Sequence, residues 1–413
     1  MKKIISIILL ISLPIICVAQ QYTLEELINI GLEKSYGIQK EIVNEQNSKS
    51  YYRSSLYGVL PTLTVGASRD KIYDPSEFDW DESGYLTLSK TFSLNEPSYY
   101  NIRTSIYSMK NAELSLDETR KQTAYYVFSS YLSVLELQET LEIQTKNLEL
   151  QNKIQQQIQV QFDAGDKSLL ELKQSEVSLI DYEIAVNEAT NMLSNTRKDL
   201  FSYLNLNDSG YEFVEPNYSI DLDDKEFKYN NVLEQKINTL KTSELFHLQT
   251  TMSFLPTFTI GYNLAHIDDG SVQDFPDYYR SAHGLSLSAS WNIFGLLDKY
   301  ESYSRSKRNL RVQSLEYETS KRDYNIQLTN LQNDLATLQR SFDLYEEKLL
   351  LAEENLSMAQ EQFRLGMISL LDLDRSKIEF QNTQLARIQK HYQLMKKQEE
   401  INLLLSNPIL GKW

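Results

Sequence analysis

The sequence predicts a mixed fold in which long coiled-coil helices are joined to short β-strands, with the whole arrangement present twice. One observation is a repeated motif: residues 162–172, FDAGDKSLLEL, return at 363–373 as FRLGMISLLDL, shifted by 201 positions. The other is that each motif is preceded by a pair of segments in which apolar and polar residues alternate. The repeat is about half of the chain, far longer than the roughly 20–50 residues of solenoid repeats. We therefore expect a duplicated chain, not a repeat array.

Residues 1–19 are predicted to be a secretory signal peptide. A basic start, Met1-Lys2-Lys3, is followed by an apolar run up to Ile16, and Cys17 and Ala19 are small residues at positions −3 and −1 of a cleavage site. Lipidation of Cys17 is the second-ranked interpretation, because Ile16 stands where a small residue would be expected. After cleavage at Ala19 the mature chain has no cysteine, so neither disulfides nor thiol chemistry are expected.

The first repeat, 20–204, is predicted to contain a helix, two strands at about 60–69 and 85–94, and a long helical hairpin. In the second strand Leu86, Leu88 and Phe92 alternate with Thr and Ser, and Lys90 is the exception on the apolar face. A length of about ten residues suits a tilted strand that crosses a bilayer. An ordinary half-buried sheet is the alternative interpretation.

The second repeat, 232–405, has the same order, with strands at about 255–265 and 284–294. The loops between paired strands, 69–83 and 266–283, are acidic and rich in aromatic residues, which suits strand ends at a membrane interface. His266 and His283 match no compact ligand motif, so no metal site is predicted.

Each repeat ends in a helical hairpin. No Gly or Pro interrupts residues from about 98 to 161 or from about 297 to 362, which allows helices on the order of 100 Å long. Gly165 and Gly366 break these helices, so the tips are predicted at 162–168 and 363–369. After each tip, apolar residues recur every seven positions, which indicates helices packed side by side at a shallow angle. They are Leu170, Val177 and Ile184, and Leu371, Ile378 and Leu385.

An irregular linker rich in Asp, Asn and Glu is predicted at 205–231, and a short tail at 406–413. The formal net charge is −16, or −18 without Lys2 and Lys3, which argues against nucleic acid as a partner. No nucleophile, phosphate-binding or metalloprotease motif is present, so we expect neither an enzyme nor a cofactor.

Taken together, the chain resembles the TolC-like outer-membrane factors, the outer membrane efflux protein family. The resemblance rests on Tyr22-Thr23-Leu24-Glu25-Glu26-Leu27, the Leu-Pro-Thr strand starts at 60 and 255, both tip motifs and the final Leu410-Gly411-Lys412-Trp413. It implies a homotrimer in the outer membrane of a Gram-negative bacterium that extends into the periplasm. Four strands per chain would then give a twelve-stranded barrel above a twelve-helix tunnel.

The resemblance also implies a passive exit channel for a tripartite efflux pump or a type I secretion system. Its partners would be a periplasmic adaptor and an inner-membrane transporter. The cargo, whether a drug, a metal ion or a secreted protein, stays open. The alternative function is a secreted or surface coiled-coil scaffold or adhesin.

The resemblance further suggests two sets of site residues. The pore constriction would involve Asp372 and Glu171, with Asp374 and Arg375 beside them. Arg375 stands where the family tends to have a second acid, and Ile368 stands where it often has a base, so the usual closing ion pairs differ here. The alternative is that both acids simply favour helix N-termini. Adaptor docking is expected at the exposed tips, at Ala164, Gly165, Leu365, Gly366 and Met367.

Overall fold

The computed structural model describes residues 23–71, 80–208, 210–216, 218, 230–266 and 284–413, without the side chains of 68–71, 80–85 and 263–266. The predicted signal peptide at 1–19, with Cys17, lies outside these residues. So do much of the two acidic loops, most of the second half of the predicted linker, the side chain of His266 and all of His283.

The order of elements repeats along the chain, as the duplication predicts. Helices and strands are assigned at α1 Leu24–Lys34, α2 Tyr36–Tyr57, β1 Thr62–Lys71, β2 Trp80–Phe92, α3 Pro97–Asp163, α4 Leu169–Tyr203, α5 Asn231–Met252, β3 Thr257–His266, β4 Gly284–Ser290, α6 Leu296–Arg364 and α7 Leu370–Leu404. α3 has 67 residues and α6 has 69, close to the uninterrupted stretches expected from the sequence. Within the described ranges, no helix combines the length and the hydropathy that crossing a bilayer requires.

The chain divides into two compact units. The first comprises Met1–Ser35, Thr123–Asp223 and Asn333–Glu400, and the second comprises Tyr36–Gln122, Asp224–Gln332 and Ile401–Trp413. The first therefore contains α1, α4, most of α7 and the tip-side parts of α3 and α6. The second contains α2, α5, all four strands and the remaining parts of α3 and α6.

The first unit has an apolar core built on α3. Val127, Phe128 and Leu132 are fully buried there, and Leu200 of α4 and Tyr392 of α7 are buried as well. Helix α1 begins with a capping box, in which Thr23 and Glu26 satisfy each other's backbone N–H groups. Its Gly31 lies against Val127 and Leu204, where a Cβ would come within 3.0 Å of the valine side chain.

The described part of the linker, up to residue 218, has no helix or strand and is held by side chains of the first unit. The buried Tyr131 hydroxyl donates to the Val214 carbonyl at 2.7 Å and accepts from the Val214 N–H at 3.0 Å. The Arg197 guanidinium donates two hydrogen bonds to Asp208, at 2.8 and 2.7 Å. These bonds fix an irregular segment without a core of its own.

The second unit contains a four-stranded antiparallel sheet in the order β1-β2-β3-β4. The register is regular apart from an irregularity between Leu86 and Thr87 of β2. β2 begins earlier than the sequence predicts because Trp80–Gly84 pair with β1. β4 ends at Ser290 instead of about 294 because the chain turns there, with the Gly295 N–H donating to Asn292 Oδ1 at 2.9 Å.

The two faces of the sheet differ in chemistry along all four strands. Cross-strand pairing aligns Val65 with Leu86, Phe92 with Phe258, and Ile260 with Leu287. The alternate positions pair hydroxyl residues or small ones: Thr62 with Ser89, Thr64 with Thr87, Thr91 with Thr259, and Thr259 with Ser288. The apolar face is exposed in the single chain, with Leu287 at 76%. An exposed apolar face of this kind marks a surface that contacts a protein partner or lipid.

The two faces give a test of the expectation that the strands cross a bilayer. Leu285→Arg would place a charge on the apolar face two residues further from the helix-side end of β4 than Leu287, and should destabilise the protein in lipid by roughly 2–4 kcal/mol near the bilayer midplane. Ser288→Arg, three residues along β4 on the hydroxyl face, is the matched control and should be tolerated. Denaturant unfolding of both variants in lipid vesicles measures the difference. Equal costs on the two faces would contradict a membrane environment for this sheet.

Candidate functional site at the helical tips

The first tip is a glycine-terminated helix end followed at once by a capped helix start. Gly165 has a φ of +86°, a left-handed conformation that disfavours any residue with a Cβ. The Gly165 N–H donates to the Phe162 carbonyl at 2.9 Å and the Asp166 N–H to the Gln161 carbonyl at 2.8 Å. This pair of bonds is the Schellman arrangement that closes a helix C-terminus.

The second tip has the same backbone geometry. Gly366 has a φ of +71°, its N–H donates to Phe363 at 3.0 Å, and the Met367 N–H donates to Gln362 at 2.8 Å. A Cβ on either tip glycine would meet nothing within 4 Å, so backbone conformation and not space demands glycine. Ala164, Leu365 and Met367 are exposed around these turns. Their predicted role in docking remains a prediction.

Glu171 completes a capping box at the start of α4. Its Oε2 accepts the Ser168 backbone N–H at 2.9 Å, and its own N–H donates to Ser168 Oγ at 3.2 Å. The Lys167 ammonium donates to Oε1 at 2.9 Å. The hydrogen bond from the Ser168 backbone, helped by Lys167, lowers the pKa of Glu171 to about 2. This carboxylate is therefore ionised at neutral pH and already has partners within its own tip.

Asp372 occupies the equivalent place at the start of α7. The Ser369 hydroxyl donates to its Oδ2 at 2.6 Å, and the Asp372 N–H donates to Ser369 Oγ at 3.2 Å. These contacts with Ser369, the hydroxyl first, lower the pKa of Asp372. Arg375 lies 3.9 Å from Oδ1, and the Asp372 side chain is still 52% exposed. Helix capping accounts for the position of this acid, and its exposure leaves it free to face a partner or a pore.

The two tips differ in charge two residues after the glycine. Lys167 lies there in the first tip, with its ammonium 4.9 Å from the centre of the Phe363 ring of the second tip. Ile368 lies there in the second tip and packs on an apolar cluster. The members of that cluster are Ile154, Ile158, Leu172, Leu356, Ala359, Leu370 and Leu373. Ile368 thus contributes to packing where the resemblance leads one to expect a basic group.

Asp374 and Arg375, although adjacent, face different surroundings. The Arg375 side chain is 73% exposed, whereas Asp374 is mostly buried and lies 3.5 Å from the Lys377 ammonium. Burial raises the pKa of Asp374 and lowers the pKa of Lys377. Of the four predicted constriction residues, Asp372 and Arg375 are therefore exposed, Glu171 is partly exposed and Asp374 is mostly buried.

Lys377 is a buried residue that the sequence reasoning missed. Its ammonium donates to Gln151 of α3, lies 5.3 Å from the centre of the Tyr182 ring of α4, and is near Asp374. One lysine thus contacts two other helices of the bundle. The signal was present, since Leu370, Leu373 and Lys377 follow the i, i+3, i+7 spacing of a buried helix face.

A groove of about 1080 Å³ lies beside the tips, between α3 and α6 within the first unit. Amide and apolar side chains form most of its lining, among them Gln156, Gln157, Val160, Gln161, Gln360 and Phe363, together with the charged Lys153, Glu361 and Arg364. Such a surface can contact a helical partner through hydrogen bonds and apolar area together.

Comparison with known proteins agrees with the resemblance seen in the sequence. Residues 249–407 match the family model described as Outer membrane efflux protein. The comparison with curated proteins found no match. The predicted resemblance is confirmed, and the outer membrane in the family's description agrees with the predicted location.

Solved structures share the fold over nearly the whole chain. The Campylobacter jejuni CmeC outer membrane channel has a TM-score of 0.80 at 15% identity, over 94% of this chain and 87% of that one. The outer membrane protein VceC of Vibrio cholerae has a TM-score of 0.83 at 13% identity, over 94% and 96%. The open-state MtrE outer membrane channel of Neisseria gonorrhoeae has 0.74 at 13% identity, over 94% and 89%. At these identities the likeness establishes the fold.

The capping role of Glu171 predicts a defined pH dependence. Because its pKa is lowered from 4.5 to about 2 in the folded chain, the stabilisation is complete above pH 4.5 and is lost as the pH falls towards 2. Glu171→Gln should lower the local stability at pH 7 by no more than about 1 kcal/mol, since the carboxylate is partly exposed.

Hydrogen exchange of the amides at 168–172, corrected for intrinsic rates, measures this difference. It should be present at pH 7 and nearly vanish at pH 2. Glu176→Gln, which removes an exposed partner of Lys173, is the control and should change little. If Glu171→Gln lowered the protection of these amides equally at pH 7 and at pH 2, the capping assignment would be contradicted.

Proposed function

We propose that three copies of this chain form an outer-membrane exit channel, with a twelve-stranded barrel in the membrane and a twelve-helix tunnel in the periplasm. The channel serves a tripartite efflux pump or a type I secretion system. The observation that carries the proposal is the continuous apolar face of the four-stranded sheet, exposed in the single chain. It is supported by the family match of the second repeat and by the shared fold.

The sheet by itself is incomplete. Among the described residues, β1 and β4 each pair on one side only, so each leaves a row of backbone N–H and C=O groups without a strand partner there. Four strands are too few to close a barrel, and in a bilayer such edges are not tolerated. Three copies supply twelve strands, an even number within the range of bacterial barrels, and remove every edge.

The helices offer a second argument for association. Near the tips, the seven-residue seams predicted from the sequence are not packed within the chain: Leu170 and Val177 on α4, and Leu371 and Ile378 on α7, are exposed, whereas Leu385 further along α7 is half-buried. A different face of each helix, including Leu172 and Leu373, fills the core. Each helix therefore has one apolar face for its own chain and another for a neighbour. Copies of the same chain match that second face, because both hairpins carry it at equivalent positions.

Transport through the channel is passive in this proposal, and the chain acts as neither an enzyme nor a cofactor carrier. Energy comes from an inner-membrane transporter, and a periplasmic adaptor docks at the tips. The exposed Leu365 and Met367 and the amide-rich groove beside them provide the surface for this contact. A secreted scaffold or adhesin would need a different partner to cover the sheet.

The seams give a direct test of trimer formation. Ile378→Lys would place an ammonium group in each of the three interfaces and remove a seam side chain worth roughly 2 kcal/mol when buried. We expect loss of the trimer with retention of helical content. Cross-linking and light scattering on protein extracted from outer membranes measure assembly. Ile378→Leu, which keeps an apolar side chain of the same size at the same position, is the matched control and should assemble normally. An intact Ile378→Lys trimer would refute the packing of α7 in the interface.

Asp372 provides a test of the channel itself. Three copies around the axis would bring three ionised carboxylates close together, so the entrance should favour cations and be blocked by trivalent ones. Asp372→Asn should reduce cation selectivity and relieve the block in planar bilayers, while the amount of trimer stays the same. If selectivity and block match those of the parent channel, Asp372 acts only in capping α7, and the substitution should weaken only the start of that helix.

A further inference from the structure

Lys90 is the one charged residue in the strand segments whose side chains the structure describes, 62–67, 86–92, 257–262 and 284–290. It stands on the apolar face, where it pairs with Ile260, which in turn pairs with Leu287. A charge on a lipid-facing surface is tolerated near the membrane interface and strongly disfavoured at the midplane. Its position in the sheet therefore needs an explanation.

The side chain of Lys90 reaches the edge of the sheet at which the helices attach. Its ammonium donates to the carbonyl of Gly58, in the turn between α2 and β1, at 3.4 Å. Among the described residues, no carboxylate forms an ion pair with it. An ammonium has three N–H donors, so this single long bond leaves capacity for a ligand. The aliphatic stem lies over the apolar face while the charge reaches the rim.

Aromatic residues follow the same edge. Phe92 is the next residue on the apolar face of β2, and Trp291 is its counterpart after β4. The Trp291 indole N–H donates to the carbonyl of Phe254, in the turn between α5 and β3, at 3.1 Å. Phe92, Trp291 and Phe294 are all exposed. Amphipathic rings of this kind mark the level of lipid headgroups.

We propose that Lys90 binds the phosphate of a phospholipid in the leaflet that faces the helices, with the acyl chains lying along Ile260 and Leu287. The inference rests on the proposed membrane location of the sheet and adds a specific ligand to it. The ammonium supplies charge complementary to the phosphodiester, and the apolar row beside it supplies the surface for the chains. The ammonium alone would bind free phosphate as well as a lipid, and the apolar row alone would accept any hydrocarbon chain. Only the two together select a phospholipid.

Native mass spectrometry of the full-length, delipidated trimer tests the proposal with three probes. They are a short-chain phosphatidylglycerol, glycerol 3-phosphate as the headgroup alone, and diacylglycerol as the chains alone. The parent protein should retain the phosphatidylglycerol and neither of the other two. Lys90→Gln should reduce retention by roughly fivefold, the factor expected of one lysine near an anionic surface. Lys90→Arg should keep retention near the parent level.

Lys110→Gln, which removes an exposed lysine on α3 outside the sheet, is the matched control. Equal retention by Lys90→Gln and the parent, or equal losses in Lys90→Gln and Lys110→Gln, would overturn the proposal. If the parent protein retained glycerol 3-phosphate as well as it retains the phosphatidylglycerol, the site would be a plain phosphate site, and the proposal would also be overturned. Membrane fractionation separates this result from the proposed function: a parent protein absent from membranes refutes both, whereas a membrane-bound parent with an unaffected Lys90→Gln variant refutes only the lipid site.

Discussion

Backbone hydrogen bonding at the two edges of the sheet is the constraint on which the rest of the architecture depends. The order β1-β2-β3-β4 leaves the outer sides of β1 and β4 without a partner strand in the part of the chain that the structure describes. An exposed edge is a template for association, and an apolar face makes that association obligatory in lipid. The proposed closure with other copies satisfies the backbone and places the apolar face against lipid at the same time. In the proposed trimer, the exposed apolar seams of α4 and α7 would likewise be covered by neighbouring copies.

The duplication preserves backbone geometry more faithfully than side-chain chemistry. Both tips combine a left-handed glycine, a Schellman pair and a serine cap that engages an acid three residues later. These features are local, and each is determined by a few residues. The bundle beneath the tips is less symmetric: Lys377 is buried on α7, whereas Glu176, the residue at the equivalent position on α4, has a side chain that is 38% exposed. The gene duplication thus kept what forms the turns, and the packing between helices diverged.

Much of the fold could be predicted from the sequence because its signals are local and repeated. The helix bounds of α3 and α6 were predicted to within two residues, since the absence of Gly and Pro over such lengths leaves few alternatives. Strand ends were less accurate: β2 begins at Trp80 because pairing with β1 extends it, which depends on a partner strand and not on local pattern. Similarly, the burial of Asp374 and Lys377 depends on which face of α7 meets α3. The spacing of Leu370, Leu373 and Lys377 indicates one apolar face of α7 and the seven-residue seam indicates another, so the sequence alone does not decide which face is buried within the chain.

The difference between Lys167 and Ile368 has a consequence for any partner that caps the entrance of the proposed trimer. Six tips would surround the axis, alternating between one whose acid is paired with Lys167 and one whose acid lies 3.9 Å from Arg375, with Ile368 at the place of the lysine. The backbone of the ring would be close to six-fold symmetric, but its charge pattern would be only three-fold. A partner ring of six identical subunits would therefore meet two chemically distinct surfaces in turn. Its subunits would have to bind in two alternating modes, or only three of them would make the tighter contact.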